Sequence, residues 1–275
     1  ALSLGAYGYV LKPLEENEIL IAAANALRRR DLELLRDRYE EELEEAVQRR
    51  TEQLEATRNV TIYGMATLAE YRDPETGQHL FRVQHYVRAL AEYLATHLRF
   101  RATLTPEIVS LFFKSAPLHD IGKVGVSDAI LLKPGPLSAE EFEEMKKHTI
   151  YGHEVILRGE SLLGEGAGSS FLRIARDLTI SHHEKWDGSG YPYGLAGDSI
   201  PLVGRLMGLA DVYDALISRR VYKPAFSHGR ACEIITDGDG RTMPEHFDPD
   251  ILSAFKQIHS RFRTIATEYA DPPIE

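Results

Sequence analysis

Apolar residues follow two different patterns along the chain. Between positions 28 and 58, Leu32, Leu35, Tyr39, Leu43, Val47 and Leu54 recur at spacings of three, four and one of seven, in a stretch that holds eight Arg and ten Asp or Glu. A narrow apolar stripe on a charged surface predicts a long helix with a coiled-coil seam. A solvated helix lying on its own domain would carry the same stripe. The coiled coil is preferred because neither Gly nor Pro occurs from Arg28 to Val60 and the flanks are charged throughout. Its simplest partner is a second copy, in a parallel homodimer. From Thr61 onward the apolar residues thicken into broad helical faces, as in Tyr86, Val87, Leu90, Ala91 and Leu94 or Ile108, Leu111 and Phe112. Breaks fall at Pro74, Pro106, Pro117, the Lys133-Pro134-Gly135-Pro136 turn, the Gly-rich 164–168 stretch and the 187–201 segment. They predict about seven helices and an all-α class, a helical bundle preceded by the long helix.

Composition narrows the partners. The formal charge of −10 over 275 residues argues against binding DNA or RNA through the phosphate backbone, so an anionic substrate must meet a local positive centre. No apolar run approaches the roughly 20 residues needed to cross a bilayer. The best candidate, Ile19 to Leu27, is short and interrupted by Asn25. A single cysteine, Cys232, excludes an intrachain disulfide and a thiolate cluster, consistent with a cytoplasmic location, and leaves His as the obvious metal ligand. The chain opens at Ala1 with neither an initiator Met nor a basic-then-apolar leader, and reads as a piece of a longer protein.

The strongest chemical signal is His119-Asp120, which follows the apolar Leu111-Phe112-Phe113 helix and precedes Ile121-Gly122-Lys123. Adjacent His and Asp can ligate one ion, and the second carboxylate oxygen is free to reach another. Glu75 and His79, four apart, share a helix face with Arg82. His148, the His182-His183 doublet and Asp211, the last in an apolar helix where an unpaired carboxylate would be costly, complete the set. Each has a commonplace alternative: a helix-end hydrogen bond, a salt-bridged face, a core histidine or a cap.

Together these residues resemble the HD-GYP subgroup of the HD-domain phosphohydrolases. The resemblance rests on five motifs in order across residues 60–265: Glu75 to Arg82, His119 to Lys123, Met145 to Thr149, His182 to Pro192 and Ala210 to Leu216. It implies a hydrolase that linearises the bacterial second messenger cyclic di-GMP to pGpG, and onward to GMP at a slower rate, with two or three divalent transition-metal ions. The implied ligands are Glu75, His79, His119, Asp120, His148, His182, His183 and Asp211, with Asp120 bridging two ions. That set offers about nine donor atoms, too many for one six-coordinate ion and too few to saturate two. A bridging hydroxide and phosphate oxygens would fill the remainder, and Glu75 makes a third ion plausible. Imidazole and carboxylate without thiolate suit iron or manganese, and accept zinc, cobalt or nickel.

The resemblance also assigns Lys123 to the phosphoryl oxygens or the leaving group, and Arg220 and Lys223 to the substrate, where a guanidinium fork can clamp a phosphate or a guanine edge. Arg219 competes with Arg220. The Trp186 to Pro192 loop either shapes the site and contacts a diguanylate cyclase partner, or is a rigid connector with Asp187 holding the turn above Trp186. His85, His97, His153, His228, His246 and His259 match no ligand position and are expected to be structural. Residues 4–14, with the Ala-rich helix that follows, are similar to the last strand and helix of a response-regulator receiver domain. The expected organisation is therefore a receiver remnant (1–27), a coiled-coil linker (28–60) and the phosphohydrolase domain (61–275), the output of a two-component signalling protein. Two alternatives stand: a phosphodiesterase for another cyclic dinucleotide such as cyclic GMP-AMP, and a catalytically silent module that senses cyclic di-GMP or recruits a partner.

Overall fold

The computed structural model describes Tyr9, Lys12, Pro13 and residues 15–70, 78–162, 170–218 and 225–271. Glu75, Arg219, Arg220, Lys223 and the Gly-rich 164–168 stretch lie outside the described residues. The chain divides into two compact units, Ala1–Asn59 and Val60–Glu275. Among the described residues there is no strand, and no helix is long and apolar enough to cross a membrane.

Helix α1, Glu16–Glu70, is continuous and runs through position 27 without interruption. Within the first unit it is supported by ion pairs one turn apart, Arg29–Glu33 at 3.2 Å, Arg36–Glu40 at 3.6 Å and Glu45–Arg49 at 3.1 Å. Exposed pairs of this kind contribute about 0.3–0.5 kcal/mol each. The seam residues Leu32, Leu35, Tyr39, Leu43, Val47 and Leu54 are all exposed, 53–71%.

In the second unit, helices α2 (Gln78–Leu94), α3 (Pro106–Ser115), α4 (Asp128–Leu131), α5 (Ala139–Lys146), α6 (His148–Ser161), α7 (Ser170–Ser181), α8 (Leu202–Ile217), α9 (His228–Asp237) and α10 (Pro249–Glu268) follow the last turns of α1. Their starts are written in the sequence. Thr105, Ser227 and Asp248 accept backbone N–H groups at the N-termini of α3, α9 and α10, and Ser138 with Glu141 forms a capping box on α5. Eight of these helices have eight residues or more, against about seven expected. One of the breaks not named above is at Lys147, between α5 and α6, where neither Gly nor Pro announces it.

The core gathers around α2, whose Leu80, Val83, Tyr86, Val87, Leu90 and Leu94 are fully buried against α3, α8 and α10. Tyr86 stacks on Phe262 at 4.5 Å between centroids, and Tyr213 of α8 meets both rings edge-on. A smaller cluster of Leu118, Ile156, Phe171 and Ala175 fixes α6 and α7 beside the short 3₁₀ turns at Ala116–Leu118 and Ile121–Gly125. Gly122 makes that approach possible: a Cβ there would lie 1.9 Å from the His148 carbonyl oxygen.

Candidate metal centre

Pro117 ends the run of α3 in a 3₁₀ turn, which delivers His119 and Asp120 into the interior, 0% and 7% exposed. Helices α2, α6, α7 and α8 close around them. The two oxygens of Asp120 face different imidazoles. Its Oδ1 lies 3.2 Å from His148 Nε2 and 3.5 Å from His182 Nε2, and its Oδ2 lies 3.3 Å from His119 Nε2 and 2.8 Å from Lys123 Nζ.

Two ligand groups result. Asp120, His148, His182 and His183 form one, and His79, His119 and Asp211 the other, each with donor atoms within 4.8 Å of one another. Seven of the eight residues expected to ligate are thus brought together. The eighth, Glu75, lies outside the described residues, as do Arg220 and Lys223. Lys123 stands at the centre, four residues after His119.

The backs of the rings decide which nitrogen faces inward. His119 Nδ1 donates to the Ala116 carbonyl at 3.0 Å, and His148 Nδ1 to that of Met145 at 2.7 Å. His182 Nδ1 donates to those of Leu178 and Thr179 at 3.2 and 3.1 Å. A carbonyl only accepts, so each Nδ1 carries a proton and each Nε2 is the nitrogen turned to the centre, where a metal would take its lone pair. His79 Nδ1 donates instead to Asp214 Oδ2 at 2.8 Å, and Arg82 grips the same carboxylate with two bonds of 2.7 and 2.9 Å. Of the two acids on α8, the fully buried one is therefore Asp214; Asp211, where burial was expected to be costly, is 21% exposed and faces the centre.

Electrostatics agree with a site prepared for cations. Burial disfavours the Asp120 carboxylate, but Lys123 and His119 outweigh it and hold the group well below the usual range. Burial, with the neighbouring imidazoles, keeps His182 and His183 below their ordinary values and hence neutral, the ligating form. Asp214 is held at about 2, burial being overcome by its bonds from His79 and Arg82.

Glu70, on the last turn of α1, was not singled out from the sequence. It is 4% exposed, neither oxygen has a hydrogen-bond partner among the described residues, and Oε1 lies 3.9 Å from His79 Nε2. Burial pushes its carboxyl up to about 7. The signal was its position one turn after Ala66, on the face that α1 buries. His119 Nε2 is likewise buried without a hydrogen bond among the described residues, its nearest charged neighbour being Asp120 Oδ2 at 3.3 Å. Orphaned acceptors of this kind are costly in a protein interior unless a cation completes them, and the set of imidazoles and carboxylates fits a divalent transition metal.

The Trp186 to Pro192 segment supplies a wall. Asp187 holds the turn by accepting from the backbone and hydroxyl of Ser189, and Trp186 lies under the Arg205 guanidinium. Gly190 passes so close to the preceding strand of chain that a Cβ would meet Lys185 N at 2.3 Å. That approach sets the Tyr191 ring against His183, 4.8 Å between centroids. Tyr191, Lys123, Lys133, Met145, His148 and Asp211 line a cavity of about 320 Å³. A second, of about 230 Å³, shares His183 and Asp211 and is walled by Lys185, Trp186, Arg205 and Arg241.

An all-helical unit whose buried His-Asp doublet gathers four further histidines is the arrangement of a metal-dependent hydrolase fold. The chain belongs to the HD-domain family, which it matches over residues 45–251. It is 52% identical over 219 residues to a cyclic di-GMP phosphodiesterase of Vibrio cholerae, covering 80% of this chain and 43% of that protein. It is 32% identical over 271 residues to the cyclic di-GMP phosphodiesterase response regulator RpfG of Xanthomonas campestris, covering 98% and 66%. It is also 36% identical over 218 residues to 3'3'-cGAMP-specific phosphodiesterase 2 of Vibrio cholerae, covering 79% and 38%. The chain thus spans between 38% and 66% of the length of these relatives.

Proposed function

We propose that this chain is the catalytic portion of a cyclic di-GMP phosphodiesterase that opens the ring to pGpG, with further hydrolysis to GMP slower. The observation that carries the reading is Asp120, whose two oxygens face two separate groups of buried imidazoles. Such a carboxylate is suited to bridge two ions, with His148, His182 and His183 on one side and His79, His119 and Asp211 on the other. Glu75 and Glu70 are the carboxylates available to a third. Iron or manganese suits the donor set best, with zinc, cobalt and nickel as substitutes. Bound ions would polarise a phosphate oxygen and make water nucleophilic near neutral pH.

The chain's own residues do the rest. Lys123, paired with Asp120 and lining the larger cavity, is placed to give a proton or a hydrogen bond to the phosphoryl oxygens or the leaving group. Tyr191 keeps its proton, because burial and then Asp120 and Asp211 raise its pKa, so it acts as a neutral wall. The two cavities meet at His183 and Asp211, and a cyclic dinucleotide has two nucleotide halves to place. Arg220 and Lys223 complete the substrate contacts.

The exposed seam of α1 supports a parallel coiled-coil dimer, and the likeness to a response regulator across almost the whole chain supports a receiver domain upstream and a cytoplasmic, two-component setting. The Trp186 to Pro192 loop is the proposed contact for a diguanylate cyclase. The relative specific for 3'3'-cGAMP favours cyclic GMP-AMP as the second reading for the substrate. The test is elemental analysis of protein purified without chelator, with chromatography of products from both dinucleotides under anaerobic, metal-supplemented conditions. Metal at the centre with pGpG formed is expected. Metal without turnover of either dinucleotide favours another substrate or a severed activating input, and no metal at all overturns the reading in favour of a silent sensing module. Arg220→Ala is expected to raise KM for the dinucleotide with metal content unchanged.

A further inference from the structure

The geometry points to a second metal site, formed by His228 and Cys232 of α9 and His259 of α10, that takes one zinc-class ion apart from the hydrolytic centre. His228 and Cys232 are four residues apart and share one face of α9; α10 brings His259 to the same face. His228 Nε2 lies 3.0 Å from His259 Nδ1 and 3.6 Å from Cys232 Sγ, and all three donors fall within 4.8 Å of one another. Ligands bound to one tetrahedral zinc, with bonds of about 2.0–2.3 Å, stand roughly 3.3–3.8 Å apart, so little movement is needed for an ion to enter.

The site has the support that metal-binding histidines require. Tyr213, buried completely in the core, holds His228 Nδ1 through its hydroxyl at 2.7 Å and so turns Nε2 toward Cys232 and His259. Burial raises the Cys232 thiol, which then loses its proton on binding the ion. The exposed side of His259 leaves the fourth position to water.

Three ligands with a thiolate select zinc, or cobalt in its place, over the iron or manganese suited to the centre. The ion would tie α9 to α10 and, through Tyr213, to α8, the helix that presents Asp211.

Cys232 is the only cysteine in the chain, so a thiolate–metal signature reports this site alone. Full-length protein from cells grown with cobalt(II) is expected to show a thiolate-to-cobalt charge-transfer band. The band should vanish in Cys232→Ser and in His259→Gln, each variant losing one ion per chain. His259 is exposed, so its variant tests the site without disturbing the core. Absence of the band in the unsubstituted protein overturns the inference, as does metal content in the variants equal to that of the unsubstituted protein. Failure of the hydrolytic reading is separate, since it concerns ions with no thiolate ligand.

Discussion

The two groups of histidines differ mainly in what lies behind the rings. At the centre, His119, His148 and His182 are buried and pinned through Nδ1 by backbone carbonyls of their own helical turns, while a carboxylate divides its oxygens between two groups. At the α9–α10 face, one tyrosine hydroxyl orients one ring, the set is half open to water, and a thiol replaces the carboxylate. The first arrangement leaves open positions for a reacting phosphate. The second offers three protein ligands and a water-facing fourth position to one ion that ties two helices together.

The sharpest break in that contrast is Asp120→Ala. Ions at the centre should be lost and hydrolysis should fall to the background of the assay, while the thiolate–cobalt band of Cys232 stays. Retained metal with normal turnover would remove Asp120 from its bridging role. Asp214→Asn probes the support behind the centre, since it weakens the acceptor for His79 Nδ1 and strands Arg82. Metal affinity at the centre should drop by about 10–100-fold by titration, with no change at the α9–α10 face.

A smaller effect is read in metal-free protein. Asp214 has a folded pKa of about 2, below its ordinary 3.8, so the native state binds fewer protons there than the unfolded state. Its contribution, about 2 kcal/mol, is present above 3.8 and is lost as pH falls through about 2. Denaturant melts of Asp214→Asn should lack that acid slope. Deleting residues 28–58 should change neither metal site. It should convert a dimer to a monomer by light scattering, and an unchanged dimer would place the interface elsewhere.

Much of the centre was legible because its residues obey local rules. Pro117 announces the turn that carries His119-Asp120, the His182-His183 doublet follows the apolar face of α7, and Asp211 sits in an apolar helix. Glu70 and Asp214 were missed as partners, although both fall on buried helical faces, because an acid in such a stripe reads as an exception until its neighbours are known. His228 and His259, read as structural, are 31 residues apart on different helices; His228 is one turn from Cys232, but nothing local connects that pair to His259.

The sequence by itself determined the helices, their caps and the kinds of ligand available. It could do so because helical period, proline stops and side-chain donors are properties of short segments. Tertiary structure decided that Asp120 faces two groups rather than one, that Asp214 and not Asp211 is buried behind His79, and that α10 brings His259 to the His228–Cys232 pair of α9. Those outcomes depend on how helices pack across the core, where the distance between two side chains is set by every residue between the helices and by no spacing along the chain.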